Sequence, residues 1–298
     1  MKTIQVYIMT YNRPDCIQNS INSVLNQDFK DFQLIVSDNS NNSITQKLIE
    51  QKYKNPSFKY IKREPSSGQM EHLNLILSEI ESDFFMIFHD DDVMHPTMLK
   101  CLHRALIANP EVLAAATNAF IIRNQKAAGY SFSYKENSFK DNTQLAESYL
   151  RDRNIAPFPS YMYRKQIKEI TFFNVKNGGR YSDASFLMEI AKYKKILILN
   201  EPLMDYHIHS GQVSSSNGFI ERSSLVNYIV RTTKFNRKSR IVKKYRIMNL
   251  YNEICKMKHE KKLNYSLYRL SKIYLMIFIF SPFNYFPKLV TRYLINYW

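Results

Sequence analysis

Apolar and polar positions change period at regular intervals along the first hundred residues. Residues 3–9 alternate loosely and predict a strand. Ile17, Ile21, Val24 and Leu25 follow at i, i+4, i+7 and i+8, one face of a helix. Pro14 can open that helix, and Asp15 suits its first turn. Phe32 to Val36 is a second strand, closing on Ser37-Asp38-Asn39-Ser40. A helix from Ile44 to Tyr53 and a short strand from Phe58 to Ile61 come next. Met70, Leu73, Leu77 and Ile80 mark another helical face. Phe84 to Phe88 are five apolar residues in a row, which reads as a buried strand. Pro96 then opens a helix with Leu99, Leu102 and Leu106 on one side. Strands alternating with such helices predict an α/β fold, a doubly wound and mostly parallel sheet flanked by helices.

The pattern loosens afterwards. Residues 111–122 and 129–134 read as further strands. The stretch 135–180 is rich in Asn, Lys, Phe and Tyr and predicts an irregular, loop-rich surface suited to binding an acceptor. Asp183 to Lys194 predicts a helix with Phe186, Leu187, Ile190 and Ala191 inward. Ile196 to Leu199 predicts a strand, and Pro202 to Ser210 a polar extended segment. No internal repeat interrupts this order.

Charge changes the picture of the organisation. The 298-residue chain carries a net +16, yet residues 219–298 hold 17 Lys and Arg, three Glu and no Asp, a net of +14. Residues 1–218 hold 25 basic and 23 acidic residues, a net of only +2. A near-neutral body, 1–218, and a basic, aromatic, helix-compatible tail, 219–298, are therefore expected to do different jobs. The tail joins RTTKFNRKSRIVKKYR to IYLMIFIFSPFNYF, and such a pairing suits a helix lying on an anionic membrane. A helical appendage packed on the body, or one forming a homo-oligomer, is the alternative. Nucleic acid is not an expected partner, since no recognised binding motif is present and the charge is separate from the candidate chemistry. Cys16, Cys101 and Cys255 show neither metal spacing nor a disulfide framework, which points to a reducing cytoplasm. Ile4 to Met9 is too short for a secretion signal, and no stretch reaches the ~18 apolar residues of a spanning helix.

The candidate chemistry gathers at strand ends. Phe84 to Phe88 empties into His89-Asp90-Asp91-Asp92. Adjacent carboxylates repel, and desolvation sharpens the repulsion. A divalent cation such as Mg²⁺ relieves it, and the carboxyl ends of sheet strands are where open α/β folds place ligands. Asp38 ends the second strand and Asp183 opens a late helix. His207 and His209 sit two apart, so on a strand they share a face. Each has a plainer reading. Asp38 alone could be an Asx turn, Asp183 a helix-terminal charge, and either histidine structural.

Together these motifs are far more specific. TYNRPDCIQNSINSVLNQDFKDFQLIVSDNSN resembles the opening of glycosyltransferase family 2, inverting nucleotide-sugar transferases of GT-A fold. That family has a strand, a Thr-Tyr-Asn turn, a helix ending in Gln before an aromatic, and a second strand closing on an Asp-Asp-Gly-Ser type turn. Here the turn is Ser37-Asp38-Asn39-Ser40, with the first Asp replaced. FHDDDVMHP resembles the family's Asp-x-Asp segment, with His89 at its first position and Asp91 at its last. SDASFLMEIAKYKKILILNEPLMDYHIHSG resembles the late Glu-Asp segment and closing strand. Ser182 replaces the Glu, Asp183 is kept, and His209 matches the terminal His. The resemblance spans roughly residues 3–215.

It implies transfer of a sugar from a nucleoside diphosphate, with a UDP-sugar the expected donor. Thr10 and Tyr11 would line the base pocket, Asp38 would accept a hydrogen bond from the base, and Asp90 would hold the ribose. Asp91, with His209 and Asp92, would hold Mn²⁺ or Mg²⁺ against the diphosphate. Asp183 would be the general base toward a hydroxyl of a glycan or lipid-linked acceptor, at the cytoplasmic face of the membrane. Cell-surface polysaccharide or glycolipid synthesis is the expected setting. Two other classes stay open: a sugar-nucleotide nucleotidyltransferase, disfavoured by the glycine-free TYNRPDC turn, and a membrane-bound scaffold with a degenerate site.

Overall fold

The computed structural model describes residues 2–53, 58–123, 126–130, 138–152, 155–209 and 218–259. The chain alternates β1 (Ile4–Thr10), α1 (Pro14–Leu25), β2 (Phe32–Asp38), α2 (Ile44–Lys52), β3 (Phe58–Lys62), α3 (Gln69–Ser78) and β4 (Phe84–His89). The two-residue β5 (Val93–Met94), α4 (Met98–Ala108), β6 (Ala114–Arg123), β7 (Lys126–Tyr130) and β8 (Ser138–Phe139) follow. Then come α5 (Asn142–Asp152), β9 (Tyr161–Arg164), the short α6 (Ile167–Ile170), α7 (Ser182–Tyr193) and β10 (Ile196–Ile208). Helices α8 (Phe219–Thr232) and α9 (Arg240–His259) close the described chain.

One ten-stranded sheet runs β3-β2-β1-β4-β9-β6-β10-β5, with β7 beside β6 and β8 beside β10. β3, β2, β1 and β4 are mutually parallel, as are β6 and β10. This is the expected α/β class with a mostly parallel sheet. Alternate residues of each strand feed opposite faces. Ile4, Val6, Ile8, Phe84, Met86 and Phe88 pack beneath α1 and α4, while Tyr7, Phe85 and Ile87 face α3, α5 and α7.

The Gln before the aromatic explains one joint. Gln27, fully buried just beyond α1, donates to the carbonyls of Ser23 (3.2 Å) and His95 (2.7 Å). Its Oε1 accepts the N–H of Leu99 at 3.0 Å. It therefore ties the end of α1 to the start of α4, just after the acid run.

Four expectations need correction. Among its described residues the stretch 135–180, expected to be irregular, carries α5, the central strand β9 and α6, with turns between them. The stripe Leu145, Ala146, Tyr149 and Leu150 of α5 is buried, and tertiary packing outweighs its polar composition. The strand expected over 129–134 begins earlier, as β7 at Lys126, and is described as far as Tyr130; residues 131–134 lie outside the described ones. α4 starts at Met98, two residues after Pro96, with Thr97 in the cap position but making no side-chain cap hydrogen bond. Ile196 to Ile208 is one strand whose register shifts between Leu199 and Asp205 absorb the polar residues.

In the basic tail, α8 and α9 pack on the body. Leu225, Val226, Tyr228, Ile229, Val242 and Tyr245 join the same apolar cluster as α5 and α7. Arg222 donates to the Tyr181 hydroxyl at 2.7 Å, and Glu221 pairs with Arg180 at 2.8 Å. The apolar segment IYLMIFIFSPFNYF lies outside the described residues.

Candidate functional site

Sheet register brings the strand ends to one level. Thr10 pairs with Asp38 across β1 and β2, and Met9 pairs with His89 across β1 and β4. The acid run is therefore aligned with the β1 and β2 turns, at the carboxyl ends of parallel strands.

Asp90 is buried beneath the β1 turn. The Thr10 hydroxyl donates to its Oδ2 at 2.6 Å, and Arg13 Nη1 lies 3.2 Å from its Oδ1. Asp91 Oδ2 accepts both Arg13 Nη1 and His209 Nε2, each at 2.8 Å. Asp92 turns inward and is fully buried. Its Oδ1 accepts the backbone N–H of His207 at 2.9 Å, which holds the end of β10 over the acid run. Its Oδ2 receives no hydrogen bond; His89 Nδ1 lies 3.5 Å away.

The protonation balance follows from this packing. Burial raises the pKa of Asp90, and the Asp91 charge adds to the rise, while Thr10 and Arg13 oppose it. Burial would also raise Asp91, but His89, His209 and Arg13 outweigh it and hold that carboxyl below the ordinary range. Asp92 is raised by burial. Burial resists charging of His89, yet Asp92 and the two neighbouring carboxylates overcome it, so the imidazole is raised. One carboxylate is thus favoured in its charged form while two are pushed toward protonation, chiefly by burial.

These groups fit a hard divalent cation. One donor atom each from His89, Asp91 and Asp92 lies within 4.8 Å of the others. The buried, unbonded Oδ2 of Asp92 is the atom such an ion would satisfy. His209, expected as a ligand, meets the cluster through Asp91. His89 was not among the expected ligands; its only signal was its place at the first position of the acid motif.

Asp38 sits in a separate pocket across β1. Its Oδ1 accepts the N–H of Ser40 at 2.8 Å, the Asx turn its sequence allowed. Its Oδ2 accepts the Tyr60 hydroxyl at 2.6 Å and lies 3.6 Å from Lys62 Nζ. Both oxygens are already engaged, which sequence could not show because Tyr60 and Lys62 come from β3. Tyr11, in the turn after β1, is half-exposed.

Asp183 stands in the first turn of α7, its Oδ1 accepting the N–H of Ala184 at 2.8 Å. Gly178 and Gly179, at φ 144° and 58°, make the turn before it, and a side chain at 179 would collide with Glu221. Ser182, in place of a Glu, donates its hydroxyl to the carbonyls of Gly179 (2.5 Å) and Asn174 (3.0 Å). Burial raises the Asp183 pKa, opposed by the Ala184 N–H and by His89. That His89 is felt at Asp183 ties the head of α7 electrostatically to the acid run.

The profile of glycosyl transferase family 2 matches residues 5–171, more than half of the chain. The chain belongs to glycosyl transferase family 2. It is 25% identical over 239 residues to an uncharacterised glycosyltransferase of Methanocaldococcus jannaschii, covering 79% of this chain and 80% of that one. It is 24% identical to a GalNAc(5)-diNAcBac-PP-undecaprenol β-1,3-glucosyltransferase of Campylobacter jejuni, over 66% of this chain and 62% of that one. Among solved structures, residues 1–349 of TarS from S. aureus with UDP-GlcNAc superpose with a TM-score of 0.63 at 19% identity, covering 94% and 80% of the two chains. A mannosyltransferase of Pyrobaculum calidifontis with GDP-Man and Mn²⁺ gives 0.56 at 14% identity, covering 93% and 85%. The sheet described above is accordingly the GT-A fold of family 2 glycosyltransferases.

Proposed function

We propose that the chain transfers a sugar, with inversion, from a nucleoside-diphosphate sugar to a hydroxyl of a glycan or lipid-linked acceptor. A UDP-sugar is the leading donor, in keeping with the UDP-GlcNAc held by TarS. The observation that carries the reading is the meeting of Asp90, Asp91, Asp92, His89 and His209 at the end of β4. Asp183, at the head of α7, feels the His89 charge.

In this reading Thr10, Tyr11 and Asp38 bound the base pocket, and Asp90 holds the ribose. Asp91 with His89 and Asp92 would hold Mn²⁺ or Mg²⁺, and His209 steadies Asp91. Such an ion, when bound, neutralises the charge that develops on the departing diphosphate. Asp183 takes the acceptor proton as the hydroxyl attacks the anomeric carbon opposite the leaving group. Its raised pKa moves it toward the working pH, where a general base is most effective. One displacement inverts the centre, so an α-linked donor gives a β-linked product.

The acceptor is proposed to be lipid-linked, in cell-surface polymer synthesis at the cytoplasmic face. The basic tail would rest on anionic lipid. Among the described residues no helix is long and apolar enough to cross a membrane. The deciding experiment is release of nucleoside diphosphate from a panel of UDP- and GDP-sugars with Mg²⁺, Mn²⁺ or EDTA, on acceptors with and without a lipid carrier. Release confined to a metal-containing sample with one sugar supports the reading. UDP binding without release from any sugar would instead mark a scaffold.

A further inference from the structure

Asp91, a residue the proposed ion needs, already carries two donors on its Oδ2. A carboxylate oxygen offers two lone pairs. Here Arg13 Nη1 and His209 Nε2 take both, each at 2.8 Å. A Mg²⁺-sized ion approaches a carboxylate oxygen to about 2.0–2.1 Å, so on Oδ2 it would displace a donor and on Oδ1 it would still bind the carboxylate that the guanidinium holds. Nor can a bare divalent cation sit beside a guanidinium without strong repulsion, because arginine stays charged at any working pH.

The backbone that launches Arg13 is fixed, so only its side chain has room to respond. Asn12 takes a left-handed φ of 54°. Its N–H donates to Ser40 Oγ at 2.7 Å, and its Oδ1 accepts Asn42 Nδ2 at 2.8 Å. Pro14 follows immediately and keeps Arg13 out of the helical region, at φ −130° and ψ 59°. The turn is thus bolted to the loop after Asp38. The Arg13 side chain is 27% exposed and stays within reach of an incoming anion. A planar guanidinium forks onto phosphate as readily as onto carboxylate.

We propose that Arg13 couples the two ligands of the site. It holds the acid run until a diphosphate draws it away, so metal binds tightly only together with diphosphate. The identity of that anion rests on the donor reading above; the competition for Asp91 rests on the geometry alone. Coupling of this kind is reciprocal, so metal must tighten diphosphate by the same factor.

The test is Mn²⁺ binding to the full chain, read by the electron paramagnetic resonance of free Mn²⁺ with the ligand's own chelation subtracted. It is run with metal alone, with pyrophosphate and with UDP, on wild type and Arg13→Gln. Wild type is expected to bind Mn²⁺ weakly alone and about 5–150-fold more tightly with pyrophosphate or UDP. Arg13→Gln is expected to bind Mn²⁺ alone more tightly than wild type and to lose most of the enhancement. Metal affinity unchanged or weakened in Arg13→Gln, or an enhancement as large as in wild type, overturns the coupling. Enhancement by pyrophosphate but not by UDP upholds the coupling and overturns the nucleotide reading. Sugar transfer with an unaltered Arg13→Gln metal profile does the reverse. Where Arg13→Gln fails to fold, Arg13→Lys carries the test. Its point charge keeps Mn²⁺ alone weak but lacks the fork, so the pyrophosphate enhancement falls; an unchanged enhancement overturns the proposal.

Discussion

Two buried polar clusters flank β1, and they are built on opposite terms. At the end of β2, Arg63 Nε donates to Ser37 Oγ at 2.8 Å, and that hydroxyl donates to His72 Nε2 at 2.7 Å. The rest of the guanidinium forks onto both oxygens of Glu79, each at 2.6 Å. Burial, with Arg63 nearby, pushes His72 down to about 4, so its ring stays neutral and free to accept. At the end of β4, by contrast, Arg13 and His209 share one oxygen of Asp91, and Asp92 Oδ2 is left without a hydrogen bond. A polar network with every partner in place holds shape, whereas one short of partners is poised to take a ligand.

That contrast breaks or sharpens under mutation. The largest effect is expected outside both clusters. Asp183→Asn should retain nucleotide binding, read by calorimetry, and lose about 10²–10⁴-fold in transfer. In wild type, turnover should fall as pH drops through the raised Asp183 pKa, since only the ionised form accepts a proton. An acid limb no higher than that of an ordinary carboxylate would remove Asp183 from the role.

Asp91→Asn should weaken metal-dependent donor binding by at least about 10–100-fold, the loss typical of disturbed metal-site shells. Full activity across a metal titration would dissolve the distinction between the clusters. Arg63→Met should act the other way, with metal affinity unchanged and stability down by about 2–4 kcal/mol in urea unfolding. The loss is trimmed because Glu79, 32% exposed, can rehydrate. A shift in metal binding by this variant would mean the filled cluster also serves the site.

The smallest effect concerns His72. Its pKa is about 4 folded and near 6.5 unfolded, so the unfolded chain binds more protons between those values. Stability should fall as pH drops from about 6.5 to 4, by no more than roughly 3 kcal/mol, and level off below. His72→Gln should flatten that slope in melting curves taken across the same range.

Much of this was legible in sequence where local chemistry decides structure. The elements from β1 to β4 announce themselves by changes of period, with Asp38 and the acid run at their ends, and Asp183 falls at the start of α7. β9 did not, because Tyr161-Met162-Tyr163-Arg164 is four residues long and draws its strand character from neighbours on both sides. Arg13 was equally invisible as a site residue. Its meeting with Asp91 spans 78 positions and depends on a left-handed Asn12 that no periodicity encodes. The unfilled oxygen of Asp92 needed the third dimension as well, since a run of three Asp does not say which one turns inward.

The antiparallel strand β9 bears on how the chain tolerates change in length. It joins β4 to β6 through Met162, which faces Met86 on one side and Ala115 on the other. Deleting one residue there would shift the pairing by about 3.3 Å and turn one of Tyr161 and Tyr163 to the opposite face. The gap between Asp91 and Asp183 is thus set by strand alignment rather than by a hinge. Loops at the carboxyl edge can lengthen to suit a new acceptor, while this four-residue strand admits substitution but neither insertion nor deletion.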